Sequence, residues 1–132
     1  MRRGWIATTG ASVLVAGGVA WLALEVQEAP ARVDGKPIRV EVLNGTRVHR
    51  AGWGLAEELR DKGFDVVDIR NADRDDYAET IVLDRVGVPE YAARVADAIG
   101  VPGRFEQRNG DLLLEVTVIL GRDRGDDYRG GR

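Results

Sequence analysis

The 132-residue chain contains no cysteine. Disulfide frameworks, thiolate zinc sites and a lipid-modified N-terminal cysteine are thereby excluded, while an oxidising compartment is permitted but not exploited. Serine occurs once, at Ser12, inside an uncharged apolar run, and histidine once, at His49. A Ser/His/Asp triad therefore has no usable nucleophile, and His49 lacks the convergent partners that a metal site or acid–base set requires. Lysine is confined to Lys36 and Lys62. The formal charge is −3, and setting aside Arg2 and Arg3 leaves about −5 on the rest. A basic face for nucleic acid is missing, so no nucleic-acid partner is expected. The phosphate-loop glycine pattern with its lysine is absent as well, and no cofactor, metal or catalytic residue is assigned.

What is present begins with a long uncharged run, Trp5 to Leu24. A helix of that length spans roughly 30 Å, the hydrocarbon thickness of a bilayer. Trp5 and Trp21 stand near its ends, where indole rings settle among headgroups, and Arg2 and Arg3 precede it. The positive-inside rule keeps residues 1–4 cytoplasmic and places everything after Leu24 outside, on a single-pass inner-membrane anchor. A cleaved signal peptide is the competing reading, since Ala29-Pro30-Ala31 has the form of a cleavage site; the run exceeds the usual signal-peptide apolar core of about 7–15 residues. A buried soluble helix is a third reading, disfavoured because small domains rarely bury a helix that is apolar all round.

Residues 25–36 carry Pro30, Gly35 and mixed charge and read as a linker. Beyond them the periodicity predicts a small α/β domain with a mixed sheet of four to five strands and two packing helices, in the order β-α-β-β-α-β-β. Pro37 to Leu43 alternates as a strand and Asn44-Gly45-Thr46 ends it. A helix is expected from Arg50 to Lys62, with Ala51, Leu55, Ala56 and Leu59 inward and Gly63 as its left-handed cap. Gly52 and Gly54 imply close approach of its backbone to the sheet. Phe64 to Ile69 gives a second, parallel strand, and Thr80 to Arg85 a third. Pro89 opens a second helix with Ala92, Val95, Ala96 and Ile99 inward and Gly100 capping it. Phe105 to Arg108 is a short strand; Asn109-Gly110 predicts a hairpin into a last strand, Leu112 to Leu120, apolar enough to be covered on both faces. The glycine-rich, charged end from Gly121, and residues 124–132 in particular, is expected to be a disordered tail.

Val40-Glu41-Val42-Leu43-Asn44-Gly45-Thr46, Gly63-Phe64-Asp65-Val66, Asn71-Ala72-Asp73, Tyr77-Ala78-Glu79-Thr80-Ile81-Val82 and the closing Val116-Thr117-Val118-Ile119-Leu120-Gly121-Arg122-Asp123 follow one another in an order and spacing that resembles the LytR C-terminal domain family. The resemblance covers residues 37–123. It implies a cell-envelope protein, in a stand-alone, membrane-anchored form with no phosphotransferase domain. One departure stands out: the family continues Asn-Gly-Thr with a Gly-Val-Pro-Gly-like run, whereas this chain has Arg47-Val48-His49-Arg50.

Two clusters are candidates for function. Asn44, Gly45 and Thr46 lie at a strand's C-terminal end before a helix, where open α/β sheets place ligands. Arg47 and Arg50 would help the helix N-terminus hold an anion, and Trp53, on the far side of the helix from Leu55, would stack on a sugar or anchor a partner. The competing reading is a plain turn in which Asn44 or Thr46 caps the helix. The second cluster is Asn71, Asp73, Asp75, Asp76 and Glu79, which lacks the glycine a calcium loop needs at its sharp turn and reads as a solvated acidic loop. The leading expectation is a non-catalytic extracytoplasmic module, anchored in the lipid bilayer through residues 5–24 and binding a cell-wall polymer or envelope protein through Asn44, Gly45, Thr46, Arg47, Arg50 and Trp53. The alternative is a wall-polymer-modifying enzyme using Asp73, Asp75 and Asp76 with Arg47.

Overall fold

A computed structural model describes residues 30–129. The expected anchor, residues 5–24, the N-terminus before it and residues 25–29 of the linker lie outside the described residues. Among those described, no helix is long and apolar enough to cross a membrane.

The described chain starts with a two-stranded ribbon, β1 (Arg32–Val33) and β2 (Lys36–Pro37), paired antiparallel. Asp34 and Gly35 turn it, both at positive φ (50° and 75°), the conformation that a two-residue hairpin of primed type demands and that Asp-Gly supplies. Residues 31–36 are thus part of the folded unit rather than linker: Ala31 is fully buried in the core, and the Ile38 amide donates to its carbonyl at 2.8 Å.

The main elements follow as β3 (Arg39–Asn44), α1 (Ala51–Asp61), β4 (Asp65–Asn71), β5 (Ile81–Asp84), α2 (Pro89–Ile99), β6 (Arg104–Glu106), β7 (Val116–Leu120) and a short α3 (Arg122–Gly125). The five long-range strands form one sheet in the order β4-β3-β7-β5-β6. β4, β3 and β7 run parallel; β5 is antiparallel to β7 and parallel to β6. Two β-α-β units, β3-α1-β4 and β5-α2-β6, therefore point in opposite directions on either side of β7. Their C-terminal strand ends open at opposite edges of the sheet.

Paired residues share a face. Val40 and Val42 stand beside Val116 and Val118, and Val118 beside Val82. These valines join Leu55 and Leu59 of α1 and Val95, Ala96 and Ile99 of α2 in one buried cluster. Both helices consequently cover the same face, with the inward stripes expected from their spacing. β7 is buried along its whole length, as its nearly continuous apolar run predicts. On its other face Thr117 is fully buried by long polar side chains: its hydroxyl donates to Glu41 at 2.9 Å and accepts from Arg85 at 2.8 Å, and Arg70 reaches Glu41 at 2.9 Å.

Two further expectations are overturned. Asn109-Gly110 makes no hairpin. Asn109 is extended, and its side chain accepts from the Asp111 amide to cap a 3₁₀ turn over Gly110–Leu112. β6 and β7 are not neighbours, and β7 begins only at Val116. The chain after Gly121 is not a disordered tail through the described residues: α3 is followed by a 3₁₀ turn, Asp126–Tyr128. Tyr128 packs on α1, where a Cβ on Gly54 would sit 2.8 Å from its ring. Its hydroxyl donates to Glu58, and Arg124 donates to that hydroxyl at 3.0 Å. Gly54 therefore serves the C-terminal turn, while Gly52 faces the sheet, where a Cβ would stand 3.4–3.7 Å from Asn44, Ile69 and Val42.

Candidate functional site

The loop between β3 and α1 is closed by its own polar groups. Asn44 Oδ1 accepts from the Thr46 amide (3.0 Å) and hydroxyl (2.7 Å); Asn44 Nδ2 donates to the Val48 carbonyl (3.0 Å), and Thr46 Oγ1 accepts from the Val48 amide (3.1 Å). This is the side-chain turn chemistry of Asx and Thr, acting on the loop itself. Neither residue caps α1. The cap position is Arg50, with φ 60° in the left-handed region and no side-chain cap bond. Gly45 is clamped between β7 and the loop after β4: its amide donates to the Leu120 carbonyl at 2.9 Å, and a Cβ would stand 2.6 Å from the Tyr77 ring. Asn44, Gly45 and Thr46 are all buried and shape the loop, with Asn44 and Thr46 at the floor of the clefts around it.

The exposed side chains around that loop divide into two clefts. Arg50 and Trp53 share the first, about 350 Å³, with His49, Ile69, Arg70 and Asn71 at the C-terminal ends of β3 and β4. Trp53 is 46% exposed and the Arg50 guanidinium lies over its ring at 5.4 Å. Such a stack holds the indole face and a positive charge side by side. Among the described residues Arg50 has no carboxylate partner, whereas Arg70 is engaged with Glu41 (2.9 Å) and Asp68 (2.8 Å) and its pKa is raised first by the Glu41 hydrogen bond.

Arg47 belongs to the second cleft, of about 280 Å³, together with Asp75, Asp76, Arg122 and Arg129. Arg47 pairs with Asp75 at 3.3 Å, and Asp76 with Arg74 at 3.6 Å; the two carboxylates are 59% and 60% exposed. Asp73 is outside this cleft and accepts from the Tyr77 hydroxyl at 2.7 Å. The acidic loop is thus largely solvated and paired with arginines. Among the described residues no group of three or more His, Cys, Asp or Glu side chains is placed to hold a metal ion. The expected Arg47–Arg50–Trp53 patch is in this way split: Arg50 and Trp53 come together and Arg47 does not join them.

The loop after β4 is also tied down from the far end of the chain. Asp123 Oδ1 accepts from the Thr80 amide (2.9 Å) and hydroxyl (2.7 Å), and Thr80 Oγ1 accepts from the Gly121 amide (3.0 Å). A Cβ on Gly121 would collide with the backbone of Glu79. These are residues of the motifs quoted above, and the clasp gives two of those motifs a common structural purpose. Residues 37–123 match the family described as LytR cell envelope-related transcriptional attenuator. The chain belongs to this family. Its LytR C-terminal domain runs from the end of β2 into α3 and so includes both β-α-β units and the loop clasp. Membership makes this a cell-envelope-related domain. Comparisons with curated proteins and with solved structures find no match. The left-handed backbone at Arg50 is one that glycine adopts freely and arginine does not.

Sequence reasoning missed the Thr80–Asp123 clasp, the Tyr128–Glu58 contact and the part played by Tyr77. The first had a readable signal, because Gly121-Arg122-Asp123 and Thr80 both stood in recognised motifs. So did Tyr77, which opens another of those motifs; the Tyr128–Glu58 contact had none, since a contact between residues 70 apart leaves no local pattern.

Proposed function

We propose that this chain is a non-catalytic module of the cell envelope, anchored in the cytoplasmic membrane by residues 5–24 with its domain outside, and that it binds an anionic cell-wall polymer in the cleft of Arg50 and Trp53. The carrying observation is the Arg50 guanidinium stacked 5.4 Å over the half-exposed Trp53 ring, from a backbone position that disfavours arginine. Strained residues held in place at a cleft are commonly ones whose side chain is used. An indole face suits a sugar ring, and an unpaired guanidinium suits the phosphate or carboxylate beside it. Family membership supplies the envelope context, and Arg2-Arg3 before an uncharged run supplies the orientation.

Co-sedimentation of the full chain in detergent with purified cell walls tests the reading. Trp53→Ala should change stability by less than about 0.5 kcal/mol, as for an exposed residue. The same variant should sediment about tenfold less, and added salt should weaken the native protein's binding. Loss of several kcal/mol would assign Trp53 to the core. Unchanged sedimentation would remove this cleft from consideration. For the topology, a reporter active only outside the cytoplasm should be active when fused after Arg132, and an inactive fusion would overturn the orientation.

A further inference from the structure

We propose that the crevice between β5, β6 and the first turns of α2 is a second binding site, which takes a primary ammonium group carried on a small apolar skeleton. This site is distinct from the Trp53 cleft, and its test stands whether or not that cleft binds a wall polymer.

The argument starts from Asp84, the last residue of β5, which is only 3% exposed. Its Oδ1 accepts from three successive amides, Val86 (3.0 Å), Gly87 (2.8 Å) and Val88 (3.2 Å), and so fixes the turn into α2. Its Oδ2 is buried and, among the described residues, has no hydrogen-bond partner. Buried polar atoms are ordinarily satisfied, and an orphaned carboxylate oxygen calls for a donor. Asp84 lines a cavity of about 430 Å³, within the size range of small-ligand sites. The remaining walls are largely apolar: Pro89, Ala92, Ala93 and Phe105, whose ring is 59% exposed at the opening.

The charges at the rim decide the ligand's sign. Glu90 is held by Arg94 at 2.6 Å and Glu106 by Arg108, while Arg104 is 3.9 Å from Asp97. Among the described residues Asp84 is the one lining carboxylate in no ion pair; the nearby Arg108 guanidinium, which lies against Gly87 and acts on Asp84 through its charge, is itself held by Glu106. An ionised carboxylate only accepts, so the complementary group donates and carries positive charge. An ammonium meets both demands, and a short carbon skeleton fills the space between Ala92, Ala93 and Phe105. The amino terminus of a peptide and a simple alkylamine share this chemistry.

The experiment follows the Val86, Gly87 and Val88 amide resonances of the full chain in detergent by NMR. Three probes are titrated: alanyl-alanine amide with its free amino terminus, butylammonium, and N-acetyl-alanyl-alanine amide. At least one ammonium probe should shift the three amides saturably, and the acetylated peptide should bind at least about tenfold more weakly. Which ammonium probe binds more tightly distinguishes a peptide terminus from a simple amine. Asp84→Asn keeps an acceptor for the turn amides but sets an NH₂ donor in place of Oδ2, and it should reduce binding by about tenfold or more. Ala93→Phe fills the cavity while leaving Asp84 intact, should abolish binding, and decides the matter if Asp84→Asn does not fold. Absence of saturable shifts with both ammonium probes, equal binding of the acetylated peptide, or native binding by Ala93→Phe would overturn the proposal and leave Oδ2 to a water molecule.

Discussion

The two β-α-β units share a plan and differ in the chemistry at their open ends. In each, an Asx residue ends the first strand and organises the turn into the helix: Asn44 after β3, Asp84 after β5. Asn44 uses both ends of its amide, accepting from Thr46 and donating to the Val48 carbonyl. Asp84 collects three amides on one oxygen and leaves the other alone. An amide brings its own donor to a loop that presents a carbonyl; a carboxylate cannot, and its second oxygen stays unpaired among the described residues. The first unit consequently has a self-contained loop and relies on exposed Arg50 and Trp53 for any recognition. The second has a buried, unpartnered acceptor within an apolar wall. One backbone design thus yields a basic, aromatic cleft at one edge of the sheet and an acidic, apolar one at the other.

The sharpest contrast should lie in the turn glycines. Gly45→Ala drives a Cβ to 2.7 Å from the Leu120 carbonyl oxygen and 2.6 Å from the Tyr77 ring, neither of which yields easily. It should cost about 3 kcal/mol, at the upper end of overpacking. Gly87→Ala meets first the guanidinium of Arg108, the far end of a flexible side chain, at a φ of 80°, and should cost about 1 kcal/mol. Denaturant melts of the two variants check this, and equal costs would mean the units are not buttressed differently. Exchanging the Asx residues comes next. Asn44→Asp loses the donor to Val48 and should cost about 1–3 kcal/mol, while Asp84→Asn should change stability by less than about 1 kcal/mol. A reversed order would contradict the hydrogen-bond assignment.

Acid should separate the units more gently. Burial works to raise the pKa of Glu58 and is outweighed by hydrogen bonds from Tyr128 and Lys62 and the charge of Arg124, so the value is lowered. Burial of Glu115 is outweighed in the same way by its hydrogen bonds and charge contact with Arg39. Lowered folded values contribute stability that is present above the ordinary glutamate pKa and lost as pH falls through them. Both carboxylates brace the first unit, through α1 and β3. Amide exchange in α1 should therefore accelerate before that in α2 between about pH 6 and about pH 3, and Glu58→Gln should reduce the difference. Tyr128 behaves oppositely, its pKa raised by burial and then by Glu58, so its contribution persists through neutral pH and fades only in strong alkali.

The helices and central strands were legible because their signals are local. Ala51, Leu55, Ala56 and Leu59 fall on one helical face, and Pro89 and Gly100 bracket the second helix. Turns misled where two readings compete for the same dipeptide. Asn109-Gly110 suits a hairpin, but the strand after it pairs with β3 and β5, so Asn109 caps a 3₁₀ turn. Asp34-Gly35 carried the true hairpin signal inside a stretch whose proline and charge read as linker. The tail misled because its one apolar anchor, Tyr128, is a single residue whose partner Glu58 is 70 positions away. At the site, exposure of Trp53 was legible from the helical period. The separation of Arg47 from Arg50 was not, because Arg47 is drawn to Asp75, a partner in the loop after β4 that no local pattern announces.

Arg50 is where stability and the proposed recognition part company, and Arg50→Gly is the most direct single measurement. Glycine relieves the left-handed strain while removing the guanidinium over Trp53. The account predicts a gain of about 0.5–1 kcal/mol in stability, partly offset by the freer unfolded chain. The full chain carrying Arg50→Gly should at the same time lose most of its sedimentation with purified cell walls. A variant that is more stable yet still sediments like the native protein would contradict the claim that Arg50 and Trp53 form the envelope-binding cleft.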